Sequence, residues 1–492
     1  MSSARVARGG ALGLATVVAE RALSLAGIVA LGRILAPADF GRWAFVVSWL
    51  AVFQVLADPG LEAVLVRRLS EPGADRARLL GSALSLRALL ALASAAIAVA
   101  LAPLAVDGPS GAGTRLLVAC GAAALLLQAQ PGFRSLLRAE LRIGTVFAVA
   151  AATGTAALLA TVVAALAGLE PNGIFLAAAA AQACGLAAAW FAARRSGRLD
   201  LRVDPSSWKG LLREAWPVGA NVLVVTLGLR MGALALMRAR GPDEVGFYSS
   251  ATRLTESLNL LADGAMLTVF PVLARRAFEG ASGLLAIARP TARLLAIAVL
   301  AAILVIVPLA PDLMGRLFRP EFAAAAPAMV IASFSALLAA LGTLYGGVLV
   351  ATGRQRVLLW INAAATVLLV GLQWVVVPRA GMVGAASVSL AVSAASHLVL
   401  ASLPATRDLV GPCLRAAAGP VACALLLLAF ERVLPGAPLA RAAILSAAFP
   451  VLLWASGALD RCEIEALGAA LGGERSDPCD RGSGGSAGGS KL

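Results

Sequence analysis

Arginines and carboxylates recur inside long apolar runs of this chain, where each charge costs roughly 2.5 to 3.5 kcal/mol to insert at the centre of a membrane helix. Charges held at such a cost are the first places to look for chemistry. Arg253, Glu256, Asn259 and Asp263 stand at spacings of three and four, which puts them on one face of a continuous helix. Glu20 and Arg21 interrupt the first apolar run, with Thr16, Glu20 and Ser24 on a shared face, and Arg230 follows Thr226 by one helical turn. Gln54, Asp58 and Glu62 repeat a spacing of four, broken by Pro59 and Gly60. A guanidinium is a planar fork that pairs bidentately with phosphate and stays charged when desolvated, so Arg21, Arg230 and Arg253 are the candidate anion-binding residues. Glu20, Asp58, Glu256 and Asp263 are candidates to neutralise them or to carry a coupling cation. A structural reading stands beside this one. In it, Arg253 and Glu256 are an i, i+3 ion pair between spans, Glu62 reaches water at a helix end, Arg87 snorkels, and His397, among Ser389, Ser393 and Ser396, is a helix-packing hydrogen bonder.

Enzyme chemistry finds little support. The chain has two lysines, Lys209 and Lys491, neither in the glycine-rich setting of a phosphate-binding loop, and one histidine. It has no Asp-x-Asp pair of the kind used by metal-dependent sugar transferases and no long external loop to house an active site. Its six cysteines show no metal-ligand or redox spacing. No catalytic residue, metal or cofactor is expected.

The elements that must position these groups are membrane helices. The 492 residues are 60% hydrophobic and 14% charged, against roughly 45 to 50% and 25% in soluble domains. Apolar runs of about 20 residues recur from residue 11 to residue 459 without the period-two alternation of barrel strands. The expected fold is therefore an all-α polytopic membrane protein of about fourteen transmembrane helices. The spans fall near 11–31, 43–63, 82–102, 116–136, 144–167, 173–193 and 214–236, then 246–270, 294–311, 328–350, 357–377, 382–402, 416–434 and 439–459. The first run is too long for a signal peptide and carries Glu20 and Arg21, so it reads as the first span.

The net charge of +14 suggests nucleic acid at first sight, but the basic residues come in small groups between apolar runs, which fixes membrane orientation instead. With the N-terminus inside, 27 of the 41 Lys and Arg lie on the cytoplasmic side, so both termini are expected there, with no nucleic-acid partner.

Sliding the chain against itself by 205 residues aligns Arg33 with Arg238, Pro37 with Pro242, Asp39 with Glu244, Gly41 with Gly246, Trp43 with Tyr248 and Asp58 with Asp263. Six spans separate the copies, which predicts two parallel, pseudo-symmetric six-helix bundles, residues 1–205 and 206–410, related by an axis along the membrane normal around a central cavity. Residues 411–462 supply two additional helices. Residues 463–492 form a cytoplasmic tail that turns Gly/Ser-rich from Gly472 and is expected to be disordered.

Gly32-Arg33-Ile34-Leu35-Ala36-Pro37-Ala38-Asp39-Phe40-Gly41 resembles the first-loop motif of bacterial polysaccharide flippases of the multidrug/oligosaccharidyl-lipid/polysaccharide exporter superfamily. Pro217, Gly246-Phe247-Tyr248 with Arg253, Glu256 and Pro271, and Leu317-Phe318 before Pro320-Glu321-Phe322 are similar to that family's second-half signatures. So are Ala351-Thr352-Gly353-Arg354 and Pro378-Arg379-Ala380-Gly381 with Gly384-Ala385-Ala386. Gly232 departs from the family, whose members often carry an acidic residue there. The resemblance implies a V-shaped pair of bundles and alternating access. It also implies translocation of polyprenyl-pyrophosphate-linked oligosaccharide from the cytoplasmic to the periplasmic leaflet of the bacterial inner membrane, with polymerase and glycosyltransferases as protein partners. Such a head group cannot cross hydrocarbon unaided. Without an ATPase, an H+ or Na+ gradient or consumption of the product must set direction. The competing readings are a lipid II or drug exporter of the same superfamily and, from another class, a membrane-embedded polymerase, ligase or sugar transferase.

Overall fold

The computed structural model describes residues 3–71, 73–106, 111–127, 130–140, 142–195, 201–431 and 433–458, with no strand among them. The Gly/Ser-rich tail lies outside the described residues. The chain opens with α1 (Ser3–Ile34), α2 (Pro37–Ala57), α3 (Leu61–Leu69), α4 (Arg76–Ala105), α5 (Gly111–Leu126), α6 (Gln130–Ala139), α7 (Ile143–Leu166) and α8 (Pro171–Arg194). It continues with α9 (Trp208–Ala239), α10 (Pro242–Glu256), α11 (Asn259–Arg276), α12 (Ala281–Leu317), α13 (Ala326–Ala351), α14 (Gln355–Ser402), α15 (Arg407–Phe430) and α16 (Pro438–Ala455). Among the described residues, twelve helices or joined helix runs are long and apolar enough to cross a membrane, and α5 contributes a shorter apolar helix. The 48-residue α14 is two expected spans joined at a kink, where Gly381 adopts φ 56° and ψ −142°.

Local chemistry places the helix ends. Proline occupies the first turn of α2, α8, α10 and α16, where its missing N–H costs nothing. Pro59 and Gly60 do break the second span: α2 stops at Ala57, and Asp58 turns its carboxylate onto the Leu61 N–H at 2.8 Å to start α3. One expectation is corrected. The run from Arg253 to Asp263 is not a single uninterrupted helix, because a turn at Ser257 and Leu258 ends α10 and opens α11.

The repeat appears in the elements themselves. α1 and α9 begin at Ser3 and Trp208, α2 and α10 at Pro37 and Pro242, and α4 and α12 at Arg76 and Ala281, each pair 205 residues apart. The copies also meet reciprocally. A methyl group on Gly41 would overlap the Pro242 carbonyl and lie 2.9 Å from the Gly246 nitrogen. One on Gly246 would overlap the Pro37 carbonyl and lie 3.4 Å from the Gly41 nitrogen. Arg33 donates to the carbonyls of Leu317 (2.8 Å) and Arg316 (2.7 Å) at the end of α12, while its counterpart Arg238 donates to Leu104 (2.9 Å) at the end of α4. At the glycines the contact is reciprocal, residue i meeting j while the counterpart of j meets the counterpart of i, the pattern of a local two-fold relation.

By contact density the chain falls into two compact units. The first comprises the described residues within 1–257, 310–332 and 362–392, and the second those within 258–309, 333–361 and 393–492. In the first, Leu61, Leu65 and Leu69 of α3 pack on α4, α6 and the start of α9. Arg68 meets Glu214 across the same contact at 2.7 and 3.0 Å. In the second, α11, α12, α13, α15 and α16 bury a leucine- and alanine-rich core that includes Leu300, Leu304, Leu344 and Cys413. His397 is buried in this unit, its Nδ1 2.8 Å from the Ser393 carbonyl oxygen and its ring 5.5 Å from that of Tyr345.

Candidate functional site

A cavity of about 430 Å3 opens in the first unit among α1, α2, α6, α7, α8 and α10. The α1 side is Glu20, Ser24, Gly27, Ile28 and Leu31, one face by helical spacing. Trp43, Thr153, Thr161 and Gln182 add polar and aromatic surface, and Arg134 and Arg253 reach it from α6 and α10. Arg134 donates to Glu20 at 2.8 Å, so that pair is neutral.

The Arg253 guanidinium is 3.4 Å from one oxygen of Glu256, and Arg230, from α9, is 3.2 Å from the other. A single carboxylate thus bridges two guanidiniums, leaving the Arg230 Nε buried with no partner among the described residues. Arg21 lies exposed on α1. Two positive charges therefore share one negative charge, an excess that suits an anion. Gly232 explains the departure noted in the sequence: a Cβ there would sit 2.5 Å from the Tyr248 hydroxyl, so the space of an acidic side chain is taken by Tyr248. Arg230 finds its carboxylate on α10 instead.

Of the residues singled out by sequence, the structure brings Arg230, Arg253 and Glu256 together, and Glu20 lines the same cavity as Arg253. Asp58 lies elsewhere, paired with Arg87. That pairing corrects the snorkelling expected of Arg87, whose side chain is 1% exposed and held by a carboxylate 29 positions away. Glu62 pairs with Arg138. Asp263 is half-buried on α11 in the second unit. Arg134 was not singled out. The signal for it is the i, i+4 pair Arg134 and Arg138 on an amphipathic ten-residue helix, facing two carboxylates, Glu20 and Glu62, that need partners. Among the described residues no group of three or more His, Cys, Asp or Glu is placed to hold a metal.

Solved structures similar to this one include the lipid II flippase MurJ in an inward closed conformation, with a TM-score of 0.72 over 89% of this chain and 98% of that one at 9% identity. An inward-facing multidrug resistance MATE family transporter of the MOP superfamily matches with a TM-score of 0.64 over 80% and 96% at 14% identity. A MOP superfamily transporter from Pyrococcus furiosus matches with 0.56 over 85% and 96% at 13% identity. These likenesses show the fold. No curated protein sequence matches the chain. The polysaccharide biosynthesis protein family profile matches residues 6–276, more than half of the sequence and the part that carries the Gly41 and Gly246 motifs, and the chain belongs to that family.

Proposed function

We propose that this protein is a flippase that carries polyprenyl-pyrophosphate-linked oligosaccharide repeat units from the cytoplasmic to the periplasmic leaflet of the bacterial inner membrane. The observation that carries the reading is the cluster in which Arg230 and Arg253 share the single carboxylate of Glu256, with Arg253 lining a cavity whose apolar walls also carry Glu20, Arg134, Thr161 and Gln182. A pyrophosphate offers several acceptor oxygens and more than one negative charge, which matches the two guanidinium forks at Glu256 and their uncompensated positive charge, with Arg21 of α1 as the third arginine of the proposed site. The glycan would pass through the cavity, along Glu20, Arg134, Thr161 and Gln182, while the polyprenyl tail stays in lipid. Alternating access exposes the cavity to one leaflet at a time. An H+ or Na+ gradient, or consumption of the product by a polymerase, sets direction, and glycosyltransferases supply the cargo.

The test is export of the polysaccharide in a flippase-null strain, with membrane abundance measured alongside. Arg21→Ala, Arg230→Ala and Arg253→Lys should each impair export at normal abundance. Normal export by all three makes these arginines structural and removes the proposed site. The likeness to MurJ favours lipid II as the second cargo to consider, since it presents the same pyrophosphate chemistry. Rescue of a strain depleted of its own lipid II flippase would favour that cargo.

A further inference from the structure

A second cavity, of about 560 Å3, lies in the first unit where α1 ends and α2 and α8 begin. It shares α1, α2, α7 and α8 with the arginine-lined cavity but differs in chemistry. Its charged lining is Asp39, Arg42, Glu170 and Arg319, two of each sign. Arg42 is 3.0 Å from Asp39, and Arg319 is 3.3 Å from Glu321. Asn172 also lines it, and its carboxamide oxygen is buried with no hydrogen-bond partner among the described residues.

A balanced set of fixed donors and acceptors does not favour an anion. It favours a neutral ligand that donates and accepts at once, because each ligand hydroxyl can give its proton to Asp39, Glu170 or the Asn172 oxygen and accept from Arg42 or Arg319. The volume is that of a small-molecule pocket. We propose that this cavity binds neutral sugar rings and holds the glycan of the lipid-linked cargo, an inference that rests on the flippase reading for the identity of the cargo. From Arg21 to Ile34 is thirteen residues of α1, about 20 Å at about 1.5 Å per residue, so a cargo with its pyrophosphate at the arginine cluster would reach this cavity with its distal sugars. The two cavities then divide recognition. The charged one reads what all such lipids share, and the neutral one reads what distinguishes one glycan from another.

Binding to the full-length protein in lipid nanodiscs tests this with three probes. They are polyprenyl pyrophosphate without sugar, free repeat-unit oligosaccharide hydrolysed from the source cell's own surface polysaccharide, and the lipid-linked oligosaccharide extracted from the same cells. Asn172→Ala and Arg319→Ala should each weaken the free and the lipid-linked oligosaccharide about tenfold and leave bare polyprenyl pyrophosphate unchanged. Where an alanine variant fails to reach the membrane, Asn172→Asp and Arg319→Lys should show the same selective loss. Equal weakening of all three probes, or of none, overturns the proposal. Failure of the flippase reading has a different signature: Arg253→Ala leaves bare polyprenyl pyrophosphate binding intact while free oligosaccharide binding still depends on Asn172.

Discussion

Gly41 and Gly246 face each other with no side chain between them, the Cβ position of Gly41 lying 2.9 Å from the backbone nitrogen of Gly246. Because the contact is reciprocal, Gly41→Ala and Gly246→Ala should destabilise the protein alike, by about 1 to 3 kcal/mol each as overpacking. Thermal unfolding in detergent measures this. A full loss from one substitution with no change from the other would show that the contact is not symmetric.

Removing one partner of the Arg87 and Asp58 pair strands a buried charge. Arg87→Met or Asp58→Asn should therefore cost about 3 to 5 kcal/mol, while the double variant should recover much of it. The same unfolding assay reads the cycle, and additive losses would mean that the two side chains do not interact.

Glu256 accepts from both Arg230 and Arg253, so its charge sets how much positive potential the cluster offers. Glu256→Gln should tighten binding of inorganic pyrophosphate several-fold while slowing export, and Arg253→Lys should weaken that binding about tenfold although it keeps the charge. Unaltered pyrophosphate binding in both variants would remove the cluster from cargo recognition.

Asp204, just before the span that contains α9, has its carboxyl held below the usual carboxylate range, first by the Ser206 hydroxyl and then by Arg78. A lowered folded-state pKa contributes stability that is complete above the unfolded value and is lost as pH falls through the folded one, that is, below about pH 4. Wild type should lose thermal stability relative to Asp204→Asn on acidification through that window. Parallel pH profiles of the two proteins would rule the contribution out.

The excess of Lys and Arg on one side of the spans predicts cytoplasmic termini, and a cysteine placed at Ser207 in a cysteine-free background should then react with a membrane-impermeant maleimide only after the membrane is opened. Strong labelling from the periplasm would invert the topology.

Much of the fold is legible in the sequence because hydrophobic runs and proline placement are local signals: Pro37 and Pro242 mark helix starts, and Pro59 with Gly60 marks a stop. The repeat is legible because the loop chemistry at Gly41 and Gly246 must be kept where two backbones touch. Other features depend on partners distant in the chain. The turn at Ser257 and Leu258 has neither proline nor glycine and keeps helical dihedrals, so nothing local announces it. Arg87 reads as a snorkelling residue until Asp58, 29 positions earlier, is brought against it. The arginine cluster was legible as separate residues on separate spans; that one carboxylate serves two of them follows only from packing.

The two arginine caps carry a consequence for synthesis. The end of α4 is made 134 residues before Arg238, its donor, and Arg33 precedes the α12 carbonyl of Leu317 by 284 residues. At roughly 5 to 20 residues per second, each contact waits many seconds on the ribosome, so the nascent first half enters the bilayer with these groups still unmatched. Only the late arrival of the second half closes them. A chain truncated after α8 should therefore be a substrate for membrane quality-control proteases, and separately expressed halves should survive only when produced together.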